Sequence, residues 1–286
     1  MATLNRLAVI VLGMHRSGTS AVAGTAVRLG LAAPRRMLPP SADNPAGFYE
    51  PAFIATFNER LLRADGCTWC DCLSFDPERF DSAIRVKAFE TSAEILRQDF
   101  GDASAFMIKD PRLCITLPVW LPALRAAGAA VAVLLVIRHP GEVMRSLSWR
   151  DRLPEVAAAP LWLHHMLEAE RITRSLPRAV VAYDDLMHDW HGCMARAGRI
   201  AGIGWPAGAG RDRPDIDAFL NRSFRHHIAG HGTAVIGPPA VRGLIDLAWS
   251  ALQELRDDPA ASFPLEWLDQ VYLTFAARRL AARTAH

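Results

Sequence analysis

The segment Gly13-Met14-His15-Arg16-Ser17-Gly18-Thr19-Ser20 gathers groups suited to holding an oxyanion. Two glycines bound a short loop, a cation stands inside it at Arg16, and Thr19 and Ser20 close it with hydroxyls. Backbone N–H groups converge in such a loop, and a helix starting at its far end adds positive potential. Gly13, His15, Arg16, Ser17, Gly18, Thr19 and Ser20 are therefore read as a cradle for phosphate or sulfate. The Gly13-to-Gly18 spacing fits the first part of a nucleoside-triphosphate loop, G-x-x-x-x-G-K-[ST]. Thr19 stands where that loop needs Lys, and the cation has moved to Arg16. The same order of residues also describes an ordinary strand-to-helix turn capped by Thr19 or Ser20.

A second group follows the apolar run that ends at Ile137. Arg138 closes that run, Pro140 suits the first turn of a helix, and Ser146 lies two turns along it. An arginine at a strand end and a hydroxyl on the next helix can grip one phosphate from two sides. The plainer reading leaves Arg138 as a strand-end charge in water and Ser146 on a helix surface.

A third group surrounds Lys109, one of only two lysines beside Lys87. Lys109 ends a short apolar run, which puts its charge at a strand end. Asp110 is placed to orient Lys109 or Arg112; alternatively the three form a buried structural ion pair. Glu50 follows the turn-forming segment Asn44-Pro45-Ala46-Gly47, which puts a carboxylate at a loop end where it can take a proton from an acceptor. It equally suits the first turn of the helix after Pro51, where an acid is favoured by the helix dipole. His15 competes as the base, since an imidazole has a pKa suited to that work.

These groups need a frame. Short apolar runs at Leu7–Leu12, Ala105–Ile108, Val131–Ile137 and Val180–Ala182 read as buried parallel strands. Helical stretches fall between them: Ala21–Leu29, Pro51–Arg63, Ser82–Gln98, Leu117–Ala127 (interrupted by Pro118 and Pro122), Gly141–Trp149 and Leu161–Ser175. The alternation predicts an α/β fold with a doubly wound parallel sheet flanked by helices. In such sheets ligands gather at the carboxyl ends of the strands. Gly13–Ser20, Lys109–Arg112, Arg138–His139 and Tyr183–Asp185 all stand at strand ends. The 286 residues are read as a single domain, with a mainly helical annex over 215–286.

Composition narrows the classes. Apolar content of 51% and charged content of 22% mark a globular chain. A formal charge of +2 gives no reason to expect a nucleic-acid partner. Thirty of the 32 basic residues are arginine, which suits oxyanion binding and equally reflects a GC-rich genome. The five cysteines are odd in number, and Cys67-x-x-Cys70-x-Cys72 lacks a fourth ligand nearby, so reduced thiols and no metal are expected. The pairs His164-His165 and His226-His227 lack metal-spacing partners and are read as surface or minor substrate-pocket residues. No secretory leader is read at the start, and the run Ala129–Ile137 is far shorter than a membrane helix requires. A cytoplasmic protein without a transmembrane segment is expected. Oligomeric state leaves no signal.

Taken together, the first two groups resemble those of sulfotransferases that use 3′-phosphoadenosine 5′-phosphosulfate (PAPS). The segment Gly13–Ser20 is similar to their 5′-phosphosulfate loop, and Arg138 with Ser146 eight residues on is similar to their 3′-phosphate signature. Asn44–Glu50 and Lys109–Leu113 resemble segments of a bacterial branch that sulfates glycans or secondary metabolites. Tyr183-Asp184-Asp185-Leu186 resembles a segment near the adenine, and Phe219–His227 carries a weaker echo. The likeness runs from about residue 7 to residue 190. It implies a P-loop-like fold, a P-loop-like sulfuryl-transfer activity with PAPS as donor, and no required metal. It implies donor contacts at the loop, Arg138, Ser146, Tyr183 and, from the C-terminal part, Arg225. It implies chemistry at Arg16, Glu50, Lys109 and His15, with Glu50, Asp110 and Arg112 facing a small-molecule or glycan acceptor bearing a hydroxyl or amine. Many members carry Lys where Arg16 stands. Arg16 is therefore cast as an electrostatic clamp, because a guanidinium is a poor proton donor. Residues 41–80 and 205–240 are expected to shape the acceptor pocket. Two other readings stand beside this one: a P-loop small-molecule kinase, and a nucleotide- or glycan-binding protein without turnover.

Overall fold

Aliphatic runs bounded by turn residues become the strands. β1 (Arg6–Leu12), β2 (Ala105–Lys109), β3 (Ala129–Ile137) and β4 (Arg178–Ala182) form one parallel sheet in the order β2-β1-β3-β4. The observed strands contain the expected ones and extend them by one or two residues. The computed structural model describes residues 5–41, 44–208, 210–223 and 237–284.

Alternation along β1 feeds two cores. Ala8, Ile10 and Leu12 join Val133, Leu135 and Ile137 of β3 on one face. Val9 and Val11 join Leu134 and Val136 on the other. Helices cover both faces, which is why the strands read as continuous apolar runs. On the first face lie α2 (Ala52–Ala64), α3 (Ser82–Phe100), α4 (Leu113–Ala126), α5 (Pro140–Asp151) and α6 (Glu155–Thr173), with α10 (Pro239–Asp257) packed on β4 and α6 and α11 (Phe263–Thr284) packed on α10. On the second lie α1 (Thr19–Arg28), α7 (Tyr183–His188), α8 (Trp190–Ala201) and α9 (Pro214–Ser223).

Two helices differ from expectation. α4 starts at Leu113 and runs through Pro118 and Pro122. Each internal proline costs a helix about 3 kcal/mol, and burial of Leu113, Leu117, Trp120 and Leu124 offsets it. α6 starts at Glu155 rather than Leu161 and is buried nearly all round, because α4, α5 and α10 enclose it. His164 and His165, read as surface or pocket residues, therefore sit inside, at 2% and 0% exposure.

The strand order places the site. From β1 the chain moves to β2 on one side, and from β3 it moves to β4 on the other. The crevice between the carboxyl ends of β1 and β3 is thus the switch point where such sheets bind ligands. Gly13 leaves β1 there and Arg138 leaves β3 there. Lys109 and Tyr183 end the flanking strands, held level by the register Val11↔Lys109 and Ile137↔Ala182.

Candidate active site

The glycine loop is pressed into the crevice. Gly13 (φ 147°) and Gly18 (φ 88°) adopt positive φ. A Cβ on Gly13 would meet the Val136 carbonyl oxygen at 2.6 Å, and one on Gly18 would meet the Tyr183 ring at 2.2 Å. Only glycine allows both close approaches. Arg16 takes φ 70° without that freedom, a costly conformation held by its surroundings. Gly18 is the N-cap of α1, with no side-chain cap. The turn-capping role open to Thr19 and Ser20 is thus not used, and the first N–H groups of α1 find no acceptor within the helix. The Ser17 hydroxyl is fully buried with no hydrogen-bond partner among the described residues. The Gly13 N–H donates to Cys114 Sγ at 3.2 Å. Burial pushes that thiol up to about 12, so it stays a neutral acceptor.

The second group closes on this loop. Arg16 Nε donates to Ser146 Oγ at 2.8 Å, across 130 residues of sequence. Arg138 Nη1 donates to the Arg16 carbonyl at 3.2 Å, and Arg138 Nε pairs with Glu142 at 2.8 Å. The Arg138 guanidinium lies 4.7 Å over the Tyr183 ring, within cation–π range. Burial raises the Tyr183 phenol above its ordinary value, against the pull of Arg138. Arg16, Arg138, Ser146 and Tyr183 thus form one connected cluster. Glu142 was missed in sequence, although its place four residues after Arg138 on a helix was a legible signal.

The third group is two sets of ion pairs, in which Asp110 takes Arg112, one of its two expected partners, and Lys109 takes Glu50. Lys109 Nζ meets Glu50 Oε1 at 2.5 Å, with the two side chains 3% and 8% exposed. Nζ also donates to the Phe48 carbonyl at 3.1 Å and to Ser20 Oγ at 3.3 Å. Ser20 in turn donates to the same Phe48 carbonyl at 3.2 Å, and the Asn44 side-chain amide bonds the Gly47 carbonyl at 2.8 Å. Glu50 is therefore tied to the end of the glycine loop through Lys109 and Ser20. Asp110 does not orient Lys109. It holds Arg112 (3.1 Å, and the Arg112 N–H at 3.0 Å) and accepts from Asn58 at 2.9 Å. Arg112 also pairs with Glu59 at 3.0 Å. Burial works against the Arg112 charge, yet Asp110, Glu50 and Glu59 outweigh it and its pKa is raised. Asn58 further accepts from Thr116 at 3.0 Å and Trp120 at 2.8 Å. Neither Asn58 nor Glu59 was singled out in sequence, since a polar residue on a helix announces nothing about its partner.

His15 is buried against Trp69, ring centroids 4.6 Å apart, with His165 at 6.2 Å. Burial above all, then the field of Arg112, holds its pKa well below the ordinary imidazole range. Its Nε2 has no hydrogen-bond partner among the described residues. Arg225, His226 and His227 lie outside the described residues. Among the described residues no group of three or more His, Cys, Asp or Glu could hold a metal ion, and no helix is long and apolar enough to cross a membrane. All five cysteines are free thiols.

No protein-family model and no curated protein matches the chain. Among solved structures it is similar to the sulfotransferase domain of the Synechococcus PCC 7002 olefin synthase, at 18% identity over 96% of each chain with TM-score 0.46. It is also similar to the sulfotransferase domain of the curacin biosynthetic pathway, at 13% identity over 82% of this chain and 83% of that one, TM-score 0.41. A third is the sulfotransferase STF9 of Mycobacterium avium, at 15% identity over 79% and 69%, TM-score 0.37.

Proposed function

We propose that this protein is a sulfotransferase that moves the sulfuryl group of PAPS to a hydroxyl or amine of a small-molecule or glycan acceptor. The observation that carries the reading is the junction of its two anion-binding motifs. Arg16 reaches Ser146 at 2.8 Å and Arg138 reaches the Arg16 carbonyl at 3.2 Å. A donor with phosphates at both the 5′ and 3′ positions needs two separate anion grips, and in our reading the glycine loop is one and Arg138 with Ser146 the other. The orphaned Ser17 hydroxyl and the uncapped start of α1 suit an anion on the loop.

When bound, the donor supplies an activated sulfuryl group and a phosphate leaving group. The chain's task is alignment and charge stabilisation, as in phosphoryl transfer. In our reading Gly13, His15, Arg16, Ser17, Gly18, Thr19 and Ser20 hold the 5′ end. Arg138, Ser146 and, from outside the described residues, Arg225 hold the 3′-phosphate, with Tyr183 beside the nucleoside. Arg16 is the clamp on the leaving phosphate. For the base we favour Glu50: Lys109 engages Oε1, which leaves Oε2 as the acceptor atom, and ties the carboxylate to the loop. His15 is kept neutral by burial and remains the competing base. Asp110 and Arg112 serve the acceptor side by fixing the wall behind Glu50. No metal enters this scheme, and we place the work in the cytoplasm.

The test is a pair of measurements. Adenosine 3′,5′-bisphosphate without magnesium should raise the melting temperature, and labelled PAPS with cell extract should yield a sulfated product identified by mass. Stabilisation by ATP with magnesium and not by the bisphosphate would instead establish the kinase reading. Donor binding without any sulfated product would establish the binding-protein reading.

A further inference from the structure

The motif Cys67-x-x-Cys70-x-Cys72 falls on a tight turn between α2 and α3. Thr68 and Asp71 face each other across that turn and exchange both backbone hydrogen bonds. The Thr68 N–H donates to the Asp71 carbonyl at 3.2 Å, and the Asp71 N–H donates to the Thr68 carbonyl at 3.1 Å. In an antiparallel ladder the next pair outward faces without hydrogen bonds, with Cα atoms about 4.5 Å apart and side chains close. Here that pair is Cys67 and Cys72. A separation of that size is one a disulfide can span.

Both thiols are buried and belong to the same core cluster. Their hydrogen bonds are weak ones. Cys67 Sγ lies 3.6 Å from the Asp65 carbonyl and 3.2 Å from the Ser74 hydroxyl, and Cys72 Sγ donates to the Trp69 carbonyl at 3.5 Å. Sulfur is a poor donor and a poor acceptor, so exchanging these contacts for a covalent bond forfeits little. Burial first, then Cys67, pushes the Cys72 thiol up, which makes Cys72 a slow nucleophile. Cys70 is the accessible thiol, exposed at the tip of the turn. Its spacing from Cys67 is that of a Cys-x-x-Cys exchange pair. Trp69, next to it, packs on His15 with ring centroids 4.6 Å apart, so the same turn forms a wall of the glycine loop.

We propose that Cys67 and Cys72 are a redox pair that closes into a disulfide by exchange with a small-molecule disulfide, with Cys70 as the entry thiol. Cys70 attacks the oxidant, whose S–S bond breaks, and one small thiol leaves. Cys67 attacks the Cys70 sulfur of the mixed disulfide, and the second small thiol leaves. Cys72 then attacks the Cys67 sulfur and returns Cys70 as a free thiol. Each attacking thiol gives up a proton and each departing thiolate takes one. In sum Cys67 and Cys72 lose two protons and two electrons, and the oxidant is reduced to two thiols. The new bond ties together the two arms of the turn that holds Trp69 against His15. A disulfide of this kind in a reducing compartment is transient and redox-sensing rather than structural.

The experiment treats the intact protein with oxidised glutathione, alkylates the remaining thiols with iodoacetamide and maps the products by mass. Cleavage before Asp71 separates Cys67 and Cys70 from Cys72. The expected product is two linked fragments in which Cys70 is alkylated. Cys67→Ser should stop at a glutathione adduct on Cys70, and Cys72→Ser at a Cys67–Cys70 bond. Cys70→Ser should slow closure by about tenfold or more, since the buried thiols must then meet the oxidant themselves. Cys70→Ser alters an exposed side chain, which guards against variants that fail to fold, and melting curves check all three. In the oxidised wild type the unfolding equilibrium constant should fall by about tenfold or more, because the bond closes a loop that matches the native fold. A glutathione adduct on Cys70 as the end product, a bond that omits Cys67 or Cys72, or a bond that lowers stability would overturn the proposal. Closure of Cys70→Ser at the wild-type rate would overturn the entry role. No sulfuryl donor or acceptor takes part, so the sulfotransferase reading stands or falls separately.

Discussion

The glycine loop and the Glu50–Lys109 pair sit at the same sheet edge and differ in how their cations are held. At the loop, Arg16 donates to the Ser146 hydroxyl at 2.8 Å, and Arg138 beside it is paired with Glu142. In the ion pairs, Lys109 meets Glu50, and Arg112 meets both Asp110 and Glu59. Buried charge matched by carboxylates fixes geometry and is expensive to break. A guanidinium beside the uncapped start of a helix adds its field to that of the helix N-terminus for an incoming anion. The comparison assigns rigidity to one region and anion stabilisation to the other, and substitutions can separate them.

The largest expected effect is on stability, in the ion pairs. Lys109→Met leaves the Glu50 carboxylate buried without its counter-charge, which costs about 3–5 kcal/mol. Urea unfolding at neutral pH measures it. Adding Glu50→Gln should recover most of the loss, because the charge left stranded is removed. A Lys109→Met protein as stable as the wild type would mean that the pair is no firmer than the loop, and the contrast would fail.

Arg16→Ala should show the reverse pattern. Removing one preorganised donor to a developing charge costs about 3 kcal/mol of barrier, on the order of a hundredfold in turnover. Stability should move by less than it does for Lys109→Met, since Arg16 is only half-buried whereas Lys109 and Glu50 are buried together. Single-turnover transfer from labelled PAPS and a urea curve on the same preparation test both halves. A large stability loss with ordinary turnover would make Arg16 a structural residue.

A pH titration separates the two regions from the buried histidines behind them. His165 is lowered to about 4 by burial, and His15 and His164 lie well below the ordinary value for the same first cause. Between pH 6.5 and 4 the unfolded chain takes up protons that the folded chain refuses. Stability is therefore full above about pH 6.5 and falls as pH drops towards 4, by roughly 3 kcal/mol for His165 alone. His165→Asn should flatten part of that slope. A stability curve level across this window would mean that the rings are hydrated or charged in the folded state.

The two regions also differ in how much of them could be read from the chain. β1 and β3 announce themselves because burial on both faces removes polar residues from a short run. Gly13 and Gly18 announce themselves because their close approaches exclude any other residue. Their joint position follows from strand order, which periodicity does not encode but alternation of strand and helix restricts. The partners in the ion pairs were another matter. Asp110 is adjacent to Lys109 in sequence, yet Lys109 pairs with Glu50, 59 residues away, because the α2 entry loop lies over the end of β2. Contacts of that kind depend on how helices settle on the sheet, and local spacing carries no record of it. The burial of His164 and His165 was hidden for the same reason: α6 packs among α4, α5, α10 and α11, which its own sequence does not name.

The smallest effect sharpens the loop half of the comparison. Ser146→Ala removes a neutral acceptor from Arg16 Nε while leaving the guanidinium in place. A hydrogen bond to a charged group is worth about 1.5–3 kcal/mol, so affinity for adenosine 3′,5′-bisphosphate should fall by about tenfold or more, read by isothermal calorimetry. Adenosine 5′-phosphate, which lacks the 3′-phosphate, should lose almost nothing. The selectivity matters more than the size. If Ser146 serves the 3′ end, the loss tracks that phosphate alone; if it merely anchors Arg16, both nucleotides weaken together, and the Arg138–Ser146 grip dissolves into the glycine loop.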